Sequence, residues 1–267
     1  MAITTLDGAL AGMQYPREFV KGLTGTMVAG RPHSLFYLTG IPGAGVAPTP
    51  GIGGEQLTTL SGQLPFSNPV SGNTYLSRFQ AQATIGGTLL LCDRLWQNSG
   101  IDETLTSEQV FTASAAIPSR DANGAANGDQ VYAGVEISTA VGAGTPTLTL
   151  KYTNQSGTTG KTATNVVSTV ASSIAGTFYP IGLAAGDTGI QKAESLTLSA
   201  TWTSGEIHVV LYRVLARLEL IAQTGNAVDA LTSGFPRMYN NSVPFLIFIP
   251  NTTTTSNISG QVIWSQG

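Results

Sequence analysis

Ala200–Gln223, ATWTSGEIHVVLYRVLARLELIAQ, contains the longest nearly unbroken apolar run in the chain, Ile207 to Ala222, with neither Gly nor Pro inside it. At a period of two, Val210, Tyr212, Val214, Ala216, Leu218 and Leu220 share one face, and Leu211, Arg213, Leu215, Arg217 and Glu219 share the other. At a helical period Ile207, Val210, Leu211, Val214, Leu215 and Leu218 also form a stripe, so periodicity alone does not decide. Three features favour a strand: the β-branched and aromatic first half, the turn signal Ser204-Gly205, and the strand-like run Ser195–Thr203 upstream. The two runs read as a hairpin whose second strand is long enough to cross a large sheet.

Outward from this run, short β-like segments alternate with turn clusters. Tyr75–Leu91 reads as one or two strands broken at Gly86-Gly87. Strands are also expected at Glu108–Ala115, Gln130–Thr139, Thr147–Asn154, Ala163–Val170, Thr177–Ile181, Val243–Ile249 and Ile258–Trp264. Turn chemistry divides them at Ser119–Asp129, Asn154–Gly160, Ala184–Gly189 and Asn251–Asn257. Many short strands with few helix signals predict an all-β protein, an antiparallel β-sandwich with the jelly roll as the expected arrangement. A barrel or an immunoglobulin-like pair of sheets is the alternative.

Residues 1–60 have a different texture. Leu6–Leu23 reads as a short helical piece around Pro16 and Leu35–Leu38 as a brief strand, followed by Gly40–Gly54, GIPGAGVAPTPGIGG, with nine Gly or Pro among fifteen residues. Such a segment cannot by itself bury enough apolar area to offset its conformational entropy. It is a linker or an extended arm held by a neighbour, and the expectation adopted is an N-terminal arm over 1–60 attached to a body over 61–267.

Composition narrows the function. The 267 residues carry 10% charged side chains and a net charge of −3, while Gly, Ser and Thr make up one residue in three. A charged fraction well under the roughly 25% of ordinary domains leaves a surface of hydroxyl, amide and apolar groups. Clustered Lys and Arg are missing, which argues against a nucleic-acid partner. No basic segment followed by an apolar one opens the chain, and no 18-residue stretch lacks polar interruption, so neither a secretory signal nor a membrane partner is expected. The one cysteine, Cys92 in TLLLCDRLW, excludes an internal disulfide and reads as a small buried hydrophobe.

Candidate chemistry is thin. His33 and His208 are too few for a metal or acid-base centre, and no G-x-S-x-G elbow supports a Ser/His/Asp triad. Gly160-Lys161-Thr162 ends like a phosphate-binding loop, but Gln155 stands where the pattern needs Gly. The loop SRDANGAANGDQ offers Asp121, Asn123, Asn127 and Asp129 as oxygen ligands, yet Ala125 occupies the third ligand position of an EF-hand, and Asn-Gly pairs suit a turn without an ion. Carboxylates able to pair for glycoside hydrolysis lie outside aromatic-rich stretches, leaving a lectin-like module built on Trp96 or Trp264 as a secondary idea. No catalytic residue, cofactor or metal is expected.

Three pieces taken together carry a resemblance: GGTLLLCDRLWQNSGI (Gly86–Ile101), LYRVLARLELIAQTGNAVDALTSGFPRMYNNSVPFLIFIP (Leu211–Pro250) and TTTTSNISGQVIWSQG (Thr252–Gly267). Their texture resembles jelly-roll virion proteins of tailed bacteriophages that decorate or cement the capsid. The resemblance covers most of residues 75–267 and reaches the Gly/Pro segment less strongly. It implies a non-enzymatic, symmetric virion component, expected as a homotrimer whose partner is the major capsid protein, made in the host cytoplasm and carried on the virion. The chain lacks the long charged helix and acidic extended loop of a shell-forming protein, which points to an accessory head protein; a tail, collar or fibre-associated protein that binds a host surface or glycan is the alternative. On this reading Tyr37, Pro42, Pro48 and Pro50 of the arm and Arg213, Arg217 and Glu219 of the long strand are the expected interface residues.

Overall fold

The apolar run is a strand. In the computed structural model, which describes residues 3–22, 25–230, 234 and 236–267, it spans Glu206–Leu220 and is β13 when strands are numbered along the chain. It pairs on one side with β8 (Val131–Thr139) and on the other with β6 (Gly87–Gln97). Beyond β8 lies β11 (Phe178–Ile181); beyond β6 lie β16 (Pro244–Pro250) and β2 (His33–Ser34), and β4 (Glu55–Gln56) joins the end of β6. These strands form a seven-stranded sheet.

Two smaller sheets complete the molecule. A four-stranded sheet runs β10 (Lys161–Thr164), β9 (Leu148–Asn154), β12 (Ile190–Leu198), β7 (Gln109–Val110). A six-stranded sheet runs β14 (Asn226–Asp229), β5 (Thr74–Ala83), β17 (Ile258–Gln266), β1 (Arg17–Lys21), β3 (Gly40–Ile41), with β15 (Arg237–Met238) also beside β5. Pairing between these strands is antiparallel throughout, so the expected antiparallel sandwich is present. Among the described residues one short helix, α1 (Leu6–Ala11), is capped by Thr5, and no helix is long and apolar enough to cross a membrane.

One face of the seven-stranded sheet serves two cores. Ile207, Val209 and Leu211 of β13 pack with Val131, Val135, Leu150, Leu196 and Trp202 against the four-stranded sheet. Farther along β13, Leu215, Ala216, Leu218 and Leu220 pack with Phe19, Phe79, Leu246 and Trp264 against the six-stranded sheet. The opposite face carries a third cluster: Cys92, Phe178, Val210, Tyr212, Phe245 and Ile247 under Phe36, Tyr37 and Leu60.

The switch from odd to even positions has a specific cause. Opposite β6, Val214 pairs with Cys92 and Ala216 with Leu91, leaving Leu215 as an extra residue. A bulge of this kind turns two successive side chains the same way and inverts the alternation beyond it. β6 has its own extra residue, Leu95, and there Leu95 and Trp96 both enter the first core. The apolar face expected from strict alternation is therefore divided: Val210 and Tyr212 lie on one side of the sheet, and Ala216, Leu218 and Leu220 on the other.

Other expectations are corrected by the pairing. Ser195–Thr203 and β13 do not form a hairpin, because β12 ends at Leu198 and pairs with β9 and β7 in the four-stranded sheet. The Ser204-Gly205 turn joins two sheets across a core that Trp202, fully buried, helps to fill. Arg17–Lys21, expected as helix, is a strand between β17 and β3, with Phe19 inward and Glu18 and Val20 outward; Leu23, the end of that expected helix, lies outside the described residues. Leu35–Leu38 is a turn and the strand there is His33–Ser34. At Glu108–Ala115 the pairing shrinks to Gln109–Val110.

The division into arm and body does not appear in the packing. Phe19, Met27 and Leu35 belong to the same core as Phe79 and Trp264, and Phe36 caps the third cluster. Gly40–Gly54 is irregular apart from β3 and partly exposed, but it is anchored at both ends. The physical reason is that the apolar residues flanking the Gly/Pro stretch complete sheet faces that would otherwise be bare.

Candidate interaction surface

The Gly/Pro segment is held as a strap beside the seven-stranded sheet. Lys21, nearly fully buried, donates from Nζ to the carbonyls of Leu38, Pro42 and Gly43 at 3.1, 2.8 and 3.3 Å, using all three ammonium hydrogens. Burial pushes its pKa down to about 8. Gly45 donates its backbone N–H to the Phe36 carbonyl, and Gly54, at φ +68°, lies where a Cβ would strike the Trp96 ring at 2.1 Å. Gly54 is thus required both by its left-handed backbone and by the indole against it.

Beneath the strap lies a buried ion pair. Arg94 Nη2 is 2.7 Å from Glu136 Oε2, and both side chains are fully buried. The Tyr37 hydroxyl donates to the same carboxylate at 2.9 Å, while Arg94 Nε donates to Gln97 Oε1 at 2.9 Å. The guanidinium also stacks over the Phe36 and Phe245 rings, at 5.0 and 5.6 Å from their centroids. Burial pushes the Glu136 carboxyl up, but Arg94 and the hydrogen bonds to it more than offset this and hold it below the usual carboxylate range.

Both histidines are buried in this region in their neutral form. His33 Nε2 accepts the Val28 N–H, and burial followed by the nearby Arg31 charge pushes its pKa down to about 4. His208 Nδ1 faces the Asn98 carbonyl at 2.9 Å, so it carries the hydrogen, and Nε2 accepts from Ser138 Oγ at 2.6 Å. Burial lowers its pKa as well. Because both folded-state values lie below the unfolded value, the unfolded chain binds more protons as pH falls from about 6.5 toward 4. Stability present above that window is lost within it, His33 contributing about 3 kcal/mol. The urea midpoint is expected to drop between pH 7.5 and 4.5, and His33→Gln, which can still accept from Val28, should flatten the drop. An equal pH response in that variant would assign the acid sensitivity elsewhere.

The expected interface residues have separate fates. Tyr37 is tied to Glu136, and Pro48 is buried, while Pro42 and Pro50 are partly covered by the strap's own contacts. Arg213 is 6% exposed; it lies over the Tyr239 ring at 5.1 Å and donates to the Arg237 carbonyl, so its contacts are internal. The bulge at Leu215 is why Arg213 faces inward while Arg217 and Glu219 face solvent, paired with each other at 2.7 Å. An exposed pair of this kind contributes little to stability.

Between the two cores on the inner face, Asp93 receives Arg120 at 3.2 Å, the Ser242 hydroxyl and the Val243 N–H. Arg120 anchors the Ser119–Asp129 loop there, and Asp121 organises it by accepting the backbone N–H groups of Asn123, Ala125, Asn127 and Gly128. Hydrogen bonds thus occupy both carboxylate oxygens of Asp121, and those of Asp129 accept from the Asn123 amide and the Thr188 hydroxyl. Cys92 is fully buried, and burial followed by the Asp93 charge pushes its thiol up, away from the reactive thiolate. Trp96 and Trp264 are 0% and 2% exposed, so neither can stack on a sugar.

The open surface lies on the six-stranded sheet and the chain preceding it. Leu6, Leu10 and Tyr15 are 58%, 56% and 87% exposed, with Leu6 and Leu10 on one face of α1. On the sheet's outer face a groove of about 710 Å³ is lined by Glu18, Arg78, Gln80, Gln82, Asn226 and Gln261, among others. The sequence reading missed this face because Arg17–Lys21 was expected to be helical; the alternation Arg78, Gln80, Gln82 against Phe79, Ala81, Ala83 was its one visible signal.

No family model matches the sequence, and no curated protein matches it at a significant level. Among solved structures the chain is similar to the VP2 subviral particle of infectious bursal disease virus, with 8% identity over 96% of this chain and 81% of that chain and a TM-score of 0.23. A mutant VP2 of the same virus, in derived T=1 particles, gives 11% identity over 95% and 77% of the two chains and a TM-score of 0.20. Superpositions at these scores do not establish a shared fold.

Proposed function

We propose that the chain is a non-enzymatic structural component of a virion that decorates or cements a phage capsid, contacting the major capsid protein and further copies of itself as a homotrimer. The observation that carries this reading is the exposure of the apolar side chains Leu6, Leu10 and Tyr15, on a chain with only 10% charged residues. Exposed apolar side chains on a charge-poor surface suit contact with a neighbouring subunit. The sequence texture of Gly86–Ile101 and Leu211–Pro250 supports the phage assignment. In this role the chain adds buried area between shell subunits and acts mechanically.

The test is attachment to capsids of the encoding phage assembled without this protein. The triple substitution Leu6→Ser, Leu10→Ser and Tyr15→Ser should leave the melting temperature within a few degrees of the parent, since these side chains contribute little to the core, and should abolish co-sedimentation with the shells. Undiminished attachment by the folded variant would overturn the assignment of this surface. Failure of the parent protein to attach would overturn the capsid reading itself. Light scattering of the parent tests the trimer.

A further inference from the structure

We propose that the outer face of the six-stranded sheet is a binding site for a neutral oligosaccharide, independent of whether the protein sits on the head or the tail of a virion. The register of the sheet builds the site. Ala227, Gln80, Gln261 and Glu18 stand directly opposite one another across β14, β5, β17 and β1. The next row places Gln82, Ser259, Val20 and Ile41 in line across β5, β17, β1 and β3. One row is thus amide and carboxylate, and its neighbour ends in two exposed aliphatic side chains, Val20 at 42% and Ile41 at 56%.

The polar groups of the first row are free to bind. Among the described residues Gln80, Gln261, Glu18 and Arg78 make no side-chain hydrogen bond or ion pair, whereas Gln82 and Ser259 of the next row are bonded to each other at 3.3 Å. Each Gln offers two donors and two acceptor lone pairs in a plane, and Glu18 adds two acceptors. Cross-strand neighbours stand roughly 5 Å apart, a spacing of the order of one sugar ring. A ring lying along the row can exchange hydroxyl hydrogen bonds with successive amides while its C–H face rests on Val20 and Ile41.

The chemistry selects among occupants. A nucleic acid would need several cations, and among the described residues Arg78 is the one cation lining the groove. A protein interface of any size is built around an apolar or aromatic centre, whereas the middle of this groove is amide. Glu18, and Asp229 opposite Arg78 on β14, disfavour an acidic sugar. A neutral polyhydroxylated ligand matches what remains.

The experiment uses the full-length protein on an array of neutral oligosaccharides, followed by NMR titration with maltotriose, cellotriose and chitotriose. At least one probe should bind, Gln80→Ala should weaken it about tenfold, the loss expected for one hydrogen bond of about 1.4 kcal/mol, and Gln80→Ala with Gln261→Ala should abolish it. Arg217→Ala, on a different sheet, should bind as the parent does. Both amides are on the solvent side, so thermal melting should confirm that the variants fold. Absence of binding on the array and to all three probes, or binding that survives the double substitution, overturns the proposal. So does a double variant that changes the protein's mass in light scattering without any glycan signal, which would make the face a contact between copies. Because capsid attachment is tested through Leu6, Leu10 and Tyr15, the two readings can fail separately.

Discussion

Removing residues 1–54 is expected to leave a chain that does not fold. The deletion takes away β1, β2 and β3, and with them Phe19, Met27, Leu35 and Phe36, each no more than 2% exposed. Emptying the site of one such side chain costs about 2–5 kcal/mol, so the four together approach the entire net stability of about 5–15 kcal/mol typical of a domain. The loss is also structural. β17 loses its hydrogen-bonded neighbour β1, and the third cluster loses Phe36 and Tyr37 from its cover. Expression of residues 55–267 should give aggregated protein or a species without a cooperative melt. A soluble, monodisperse fragment with a sharp thermal transition would show that the first 54 residues are an appendage after all.

Glu136→Ala is expected to destabilise the protein by about 3–5 kcal/mol, the usual cost of leaving a buried charge uncompensated. Arg94 would remain fully buried between the Phe36 and Phe245 rings, with Gln97 as its hydrogen-bonded partner but no carboxylate. The Tyr37 hydroxyl would lose its acceptor as well, so the strap that follows Tyr37 should become easier to cleave with protease. Replacing both charges, Arg94→Met with Glu136→Leu, should recover much of the loss, because two desolvation costs disappear along with one attraction. Urea unfolding of the two single variants and the double variant measures the coupling directly. A loss under about 1 kcal/mol for Glu136→Ala would mean that the pair is solvated and that the strap does not seal it.

Several elements of this fold were legible in the residues. Val131–Thr139, Leu148–Asn154, Pro244–Pro250 and Ile258–Gln266 form where alternation and turn chemistry placed strands, to within a few residues. Such segments carry a local signal, since apolar and polar positions alternate and Gly, Asn or Pro marks the ends. Arg17–Lys21 was misread because five residues after a proline carry too short a pattern to separate helix from strand; its pairing with β17, some 240 residues away along the chain, decides it. The amide groove went unseen for the same reason, since Gln80 and Gln261 become neighbours only when β5 and β17 pair.

The sequence by itself determined the class of structure: a charge-poor, Gly/Ser/Thr-rich chain of short alternating segments has few alternatives to antiparallel β-sheets around an apolar core. It also determined that the run Ile207–Ala222 would lie at the centre, because no other segment carries so much apolar surface without a break. Tertiary structure alone decided which way that surface faces. One extra residue at Leu215 inverts the alternation, sends Arg213 inward and Arg217 outward, and lets a single strand serve two cores. A bulge leaves no mark in an apolar run, because the residues on either side of it are equally hydrophobic, and only the hydrogen-bonding register of the neighbouring strand selects where the extra residue falls.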